Sequence, residues 1–202
     1  GEDLGHLEGR GGGEAPGPTG CGASPQDRVM HWSPPFDDGE LHMLYESDSP
    51  MASHRYSPDM STLFINERQD GSVREYAVFL DDPETVYTLA DYGAEDFYAN
   101  PGNLVMTGGG VPAQNRRRFR GGNTEGGGTV QVSSDGEHVF FYGTRYDEDP
   151  LAIAPTNYLD RVSIRTGEKD RVFEGDNDQV SERITTILDV DAGRFVVSRE
   201  SP

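Results

Sequence analysis

Apolar residues along this chain fall in short runs bounded by turn residues, and no stretch carries a sustained helical stripe. Val29 to Trp32, Leu41 to Tyr45, Thr62 to Asn66, Arg74 to Leu80 and Pro83 to Leu89 are each four to eight residues long, with Pro34-Pro35, Asp38-Gly39, Ser57-Pro58-Asp59 and Asp70-Gly71 in the turns between them. The most regular pattern lies between Thr129 and Asp178. Val130 and Val132 precede the turn Ser133-Ser134-Asp135-Gly136, and Val139-Phe140-Phe141-Tyr142 follow it. Tyr158 to Ile164 alternates apolar with polar, the period of a strand with one buried face. Thr166-Gly167-Glu168 turns the chain back into a short outer strand over Arg171 to Phe173. Glycine in these turns supplies positive φ at no steric cost.

The same order of elements recurs. Ser57-Pro58-Asp59 stands before Thr62 to Asn66 as Ser133-Ser134-Asp135 stands before Val139 to Tyr142, and Asp70-Gly71 then turns the chain into its next strand. A third copy begins near Ile184, with Thr186 to Val190, the turn Asp191-Ala192-Gly193, and Arg194 to Ser198. Units of this kind cannot bury their faces alone and must stack. The expected fold class is therefore all-β: an incomplete β-propeller of about three to four antiparallel blades. The repeated turns are about 76 and 57 residues apart, beyond the roughly 40–50 residues of a regular blade, so long loops are expected. One such loop is Asp91 to Gly128, with a short helical turn expected at Ala94 to Tyr98 and a brief strand at Leu104 to Thr107. Trp32, the single tryptophan, is expected to anchor packing between blades. Residues 1–27 hold nine Gly and three Pro without apolar period and read as a flexible tail, leaving 28–202 for the partial propeller.

Composition narrows the partners. The formal net charge is −19, from 36 acidic and 17 basic residues, which argues against nucleic acid and against an anionic membrane surface. Lys169 is the single lysine, so the basic residues are otherwise all Arg. A saline environment, or a GC-rich genome that favours Arg codons, accounts equally for that bias. No run of about 18 apolar residues is present to span a membrane. The visible N-terminus lacks a secretory signal, which favours a cytoplasmic location. The chain starts with Gly and ends at Pro202 directly after an apolar strand, so both ends read as cut from something longer, and a true N-terminus would be missing.

Candidate chemistry is sparse. Cys21 is the only cysteine and sits in the Gly-rich tail. No Gly-x-Ser-x-Gly elbow is present, and none of His6, His31, His42, His54 or His138 lies beside a Ser or Cys in a triad-like context. His31 and His42 are expected to face each other across a hairpin, without a third metal ligand at a suitable spacing. Asp147, Glu148 and Asp149 lack the Gly and Glu positions of a calcium loop. Gly11 to Gly13 lack the strand and the Gly-Lys-Ser/Thr of a phosphate loop. No catalytic residue, metal site or cofactor is assigned. The one dense basic cluster, Arg116, Arg117, Arg118 and Arg120, is the candidate substrate-binding group, since guanidinium grips carboxylates bidentately. Its plainer reading is a solvated loop paired with surrounding acids.

Several features together resemble the propeller of the prolyl oligopeptidase family of serine peptidases, in particular its glutamyl-endopeptidase-like members. They are Tyr142-Gly143-Thr144, the region Pro155 to Arg161, Thr166-Gly167-Glu168, the patch Glu174 to Asp178, and Ser198-Arg199-Glu200-Ser201-Pro202, with a looser match over Tyr87 to Pro101. The resemblance spans about residues 28–202 and implies a non-catalytic propeller portion that gates and guides peptide substrate to a C-terminal hydrolase domain absent from this chain. The partner it implies is that hydrolase domain or the peptide itself. Two alternatives stand beside it: a stand-alone propeller-like module that binds protein or peptide, and a degenerate product with exposed apolar edges.

Overall fold

The computed structural model describes residues 27–36, 41–108, 128–149, 154–177 and 180–201. Among these there is no helix. Twelve strands form four antiparallel sheets. β1 (Asp27–Trp32) pairs with β2 (Leu41–Ser47). The next four, β3 (Met51–Tyr56), β4 (Thr62–Gln69), β5 (Ser72–Phe79) and β6 (Asp82–Gly93), form a meander in chain order. A second meander follows in β7 (Asn103–Leu104), β8 (His138–Arg145), β9 (Thr156–Ser163) and β10 (Lys169–Glu174). The last sheet is β11 (Ser181–Asp189) with β12 (Arg194–Glu200). Consecutive meanders stacked face to face, with no strand joining one sheet to the next, make an unclosed β-propeller: two full blades between two half-blades.

Face-to-face stacking explains the apolar runs. In β4, Leu63 and Ile65 join Leu44, Tyr45 and Val78 in the core between the first and second sheets. Phe64, between them, points the other way and packs with Ala77, Phe79 and Leu89 against Val130, Val139, Phe141, Val162 and Ile164 of the next blade. In β8 the split repeats: Val139 and Phe141 face backward, while Phe140 and Tyr142 face forward onto Leu159, Ile184, Ile187 and Val190. A strand covered on both faces loses its polar alternation. That corrects the expectation of a half-buried strand at Tyr158 to Ile164: in β9 Tyr158, Leu159 and Asp160 are all buried in succession.

The turns follow their residues. Asp70 and Gly71 both have positive φ, 50° and 79°, and close the two-residue β4–β5 hairpin. The Ser57 and Ser133 turns share a five-bond network. Ser57 N donates to Thr62 O (2.9 Å) and Met60 N to Ser57 O (3.0 Å); Ser57 Oγ donates to Asp59 (2.6 Å), and Asp59 in turn accepts from Ser61 N (3.2 Å). Thr62 N closes the ring on Ser57 Oγ (3.0 Å). Ser133, Asp135, Gly136, Glu137 and His138 make the same five bonds at the same offsets. The third turn has Val190 in the serine position and keeps only the Gly193 N to Val190 O contact, at 3.4 Å. Its link is to the neighbouring blade, where Asp191 accepts from Ser134 N at 3.0 Å.

Two other expectations change. β6 runs to Gly93, well past Leu89, because Val73 and Ser72 of β5 pair with Tyr92 and Gly93. Ala94 to Tyr98 makes turns as expected, one of them closed by a helical bond from Asn100 N to Asp96 O at 3.2 Å, with Asp96 Oδ1 accepting from Tyr98 N and Ala99 N. Trp32 is no anchor between blades. It is 46% exposed and packs edge-to-face on Phe36 at 5.6 Å, because no described sheet covers that face of β1. Of the proposed tail, Asp27 belongs to β1 and the remainder lies outside the described residues.

Candidate binding surface

Strand direction sorts the connections onto two ends. The tight turns at 57–61, 133–137 and 190–193 lie at one end. At the other lie the links between sheets, 48–50 and 94–102, together with the Asp70-Gly71 hairpin, and polar side chains gather there.

A small cleft of about 150 Å³ opens at this end, lined by Ser49, Glu67, Gln69, Asp70, Ser72 and Arg74. Glu67 is the unusual member. It follows the apolar run Leu63 to Ile65 on β4 and is only 4% exposed, so its carboxylate needs a donor. Tyr45 OH supplies one at 2.6 Å from the first sheet. Burial, then the neighbouring Glu67, push the Tyr45 hydroxyl far above its ordinary pKa, so it stays a donor. Register sets Glu67 opposite Arg74, whose guanidinium reaches Asp91 at 3.5 Å. Ser49 Oγ donates to Gln69. With Glu67 and Asp70 against Arg74, the cleft carries more acceptor than donor charge.

The opposite face of the same sheet carries a second polar group. Arg68 Nε donates to Asn66 Oδ1 at 3.3 Å, and Asn66 Nδ2 donates to Glu75 Oε1 at 2.6 Å. Burial raises the Glu75 carboxyl to about 7, against the Asn66 hydrogen bond and the charges of Arg68 and Arg55. Tyr92 is raised by burial and then by Glu75.

Of the residues singled out in the sequence, Tyr142-Gly143-Thr144, Tyr158 to Arg161 and Glu174 lie in the second full blade, whereas Ser198 to Glu200 lie in β12 and Tyr87 to Gly93 in β6. Gly143 pairs with Tyr158, and a Cβ on Gly143 would stand 2.5 Å from the tyrosine ring. Tyr158 OH donates to Asn100 O at 3.3 Å, and the Arg171 guanidinium lies 4.1 Å over its ring. Arg171 grips Asp160 through two nitrogens and Glu174 at 2.8 Å, and Glu174 also takes Arg145 at 2.8 Å. Tyr142-Gly143-Thr144, Tyr158 and Glu174 thus lock strands together.

Ser133, Asp135 and His138 do come together, with His138 Nδ1 3.5 Å from Asp135 Oδ1. They do not form a nucleophilic relay. Ser133 Oγ donates to Asp135, not to the imidazole, and accepts from His138 N. The matching Ser57 turn makes the same bonds with Thr62 where His138 stands. A triad needs the base to face the nucleophile, and among the described residues nothing has that arrangement.

His31 and His42 meet as expected, paired in register with rings 6.5 Å apart. Among the described residues no group of three His, Cys, Asp or Glu side chains is placed to hold a metal ion. Asp147 Oδ1 accepts from Asp149 N at 3.0 Å, a local turn. Arg116, Arg117, Arg118 and Arg120 lie outside the described residues, as does Cys21. The flanks of that arginine segment are pinned, because Thr107 and Thr129 share a hydroxyl contact of 2.9 Å beside the Met106–Val130 bridge.

Sequence reading missed Glu67 and Glu75, although a signal existed. Counting outward from a two-residue Asp70-Gly71 hairpin pairs Gln69 with Ser72, then Glu67 with Arg74 and Asn66 with Glu75. What the count does not give is which of those residues a neighbouring sheet covers.

No protein-family model and no curated protein matches this chain. Among solved structures it is similar to TolB from Acinetobacter baumannii, at 12% identity and a TM-score of 0.36, over 81% of this chain. The chain spans about a third (33%) of the length of that protein. At that score the likeness carries no argument about function.

Proposed function

We propose that this partial propeller is a non-catalytic peptide-binding module, and that the cleft at Glu67 receives a basic side chain of the bound segment. The observation that carries the reading is a buried carboxylate at the floor of a polar cleft. One oxygen of Glu67 is engaged by Tyr45 OH, and Asp70 adds a second acid at the rim. The net charge of −19 favours cationic segments over acidic ones. Titrating the chain with short fluorescent peptides differing only in Lys, Ala or Glu tests this. The lysine peptide is expected to bind at least tenfold tighter than the other two, and Glu67→Gln to abolish the difference. Equal binding of all three, or none, removes the proposal.

The narrower reading, supported by the resemblance of Tyr142-Gly143-Thr144 and the Pro155 to Arg161 region, makes the module the propeller portion of a serine peptidase. It would then guide peptide toward a hydrolase domain that this chain does not contain. Translating the surrounding DNA is its test: a Gly-x-Ser-x-Gly segment is expected downstream in the same frame, and its absence removes the peptidase. On this reading the isolated chain turns over no fluorogenic peptide ester.

A further inference from the structure

We propose that Asp91 is the positioning residue of the Glu67 cleft: it holds Arg74 aside and so keeps the buried carboxylate open to an incoming cation. Access matters because the cleft is read as the seat of a basic side chain, and the role given to Asp91 rests on that reading. Glu67, Arg74 and Asp91 stand side by side across three strands. Arg74 of β5 faces Glu67 of β4 on one side and Asp91 of β6 on the other. Directly opposed residues share a face of the sheet and lie within side-chain reach of one another. The placement of Asp91 depends on an irregularity. Tyr76 pairs with Thr88 but Glu75 with Ala90, which leaves Leu89 unopposed and shifts the register by one residue. Without that shift the partner of Arg74 would be Ala90. An extra residue of this kind re-aims the side chains beyond it.

Arg74 therefore has an acid on each side and takes one of them. Its Nε lies 3.5 Å from Asp91 Oδ2, and among the described residues no ion pair reaches Glu67. The two acids differ in surroundings. The Asp91 side chain is 57% exposed and that of Arg74 42%, so their pair sits in water and is weakly held. Glu67 is enclosed, with Tyr45 OH on Oε1. Its attraction for a cation is screened less, but Arg74 must shed water to reach it. Where weak pairing in water competes with costly pairing inside, a small bias decides the position of the guanidinium. With Arg74 on Asp91 the Glu67 carboxylate is not neutralised and the cleft stays open. With Arg74 on Glu67 the protein's own cation fills the place of an incoming one. Asp91 lies outside the lining of the cleft, so it acts through Arg74 and touches no ligand there.

Titration with the fluorescent lysine peptide and nuclear magnetic resonance, both on the 202-residue polypeptide, test this. Asp91→Asn should weaken the lysine peptide about two- to fivefold, the population change that a surface ion pair supports. Arg74→Gln should tighten it by at least about twofold, since it removes the competing cation. In the Arg74→Gln background, Asp91→Asn should cost less than about half as much in log affinity, because only its distant charge is then lost. An equal loss in both backgrounds overturns the proposal, since Asp91 would then act as bulk charge alone. Without peptide, the Arg74 Nε–H should show a nuclear Overhauser contact to the Tyr45 ring in Asp91→Asn and none in the parent chain. A contact in the parent, or none in the variant, also overturns it. The two readings fail separately. Movement of Arg74 with no peptide binding removes the peptide reading and leaves the tether standing. Lysine-selective binding with Arg74 unmoved in the variant removes the tether alone.

Discussion

The central and end sheets are written in similar residues, yet they live in different surroundings. β8 carries Val139-Phe140-Phe141-Tyr142 and buries all four, two on each face. β12 carries Phe195-Val196-Val197, and only Phe195 is substantially covered, by Phe173. An apolar run on a strand therefore records a demand for cover on both faces, and a neighbouring sheet on each side has to meet it. The same contrast separates the turns. Ser57 and Ser133 close identical networks between full-blade strands, whereas Val190 has no side-chain oxygen to do so.

The largest expected effect breaks that comparison at its centre. Phe141→Ala should cost about 3–5 kcal/mol in urea denaturation, because a fully covered ring leaves a cavity. Phe195→Ala, in the end sheet, should cost roughly half as much or less. Equal losses would mean that the end sheets are as enclosed as the centre. Next comes Gly143→Ala, expected to cost about 1–3 kcal/mol, since the new methyl must displace the Tyr158 ring from 2.5 Å away. Tyr158→Ala should relieve most of that penalty in the double variant.

The Glu75 prediction depends on pH. Its carboxyl is raised in the folded chain from 4.5 to about 7, so the fold favours the protonated form. The associated stability is fully present below pH 4.5 and is lost as pH rises through 7. Glu75→Gln should therefore leave stability unchanged at pH 4 and raise it by about 1–2 kcal/mol at pH 8. A gain of the same size at both values would show that the effect is not titration. The smallest effect sharpens the turn comparison. Met60 holds φ of 62° at the place where Gly136 holds 73° and Gly193 holds 62°. Met60→Gly should thus stabilise by about 0.5–1 kcal/mol, whereas Gly136→Ala should destabilise by about 1 kcal/mol.

Much of the architecture was legible in local pattern. The Ser-x-Asp turns, the Asp70-Gly71 hairpin, the His31–His42 facing and the succession of strands all arise from interactions within a few residues or across one hairpin. Trp32 was misread because the rule that a lone tryptophan anchors packing assumes a sheet on its far side. The cleft was illegible for a related reason. Glu67 looks like any charged strand residue until Tyr45, from another sheet, comes down on it.

The sequence alone determined that this protein is a series of antiparallel strands with matched turns, because turn chemistry and side-chain alternation are local and leave few backbone solutions. Only the tertiary structure decided which face each strand buries, that Glu67 is enclosed while Trp32 is bare, and that Ser133, Asp135 and His138 serve a turn instead of a reaction. Those outcomes depend on how one sheet lies over the next, and stacking joins residues whose separation along the chain carries no signal of their contact.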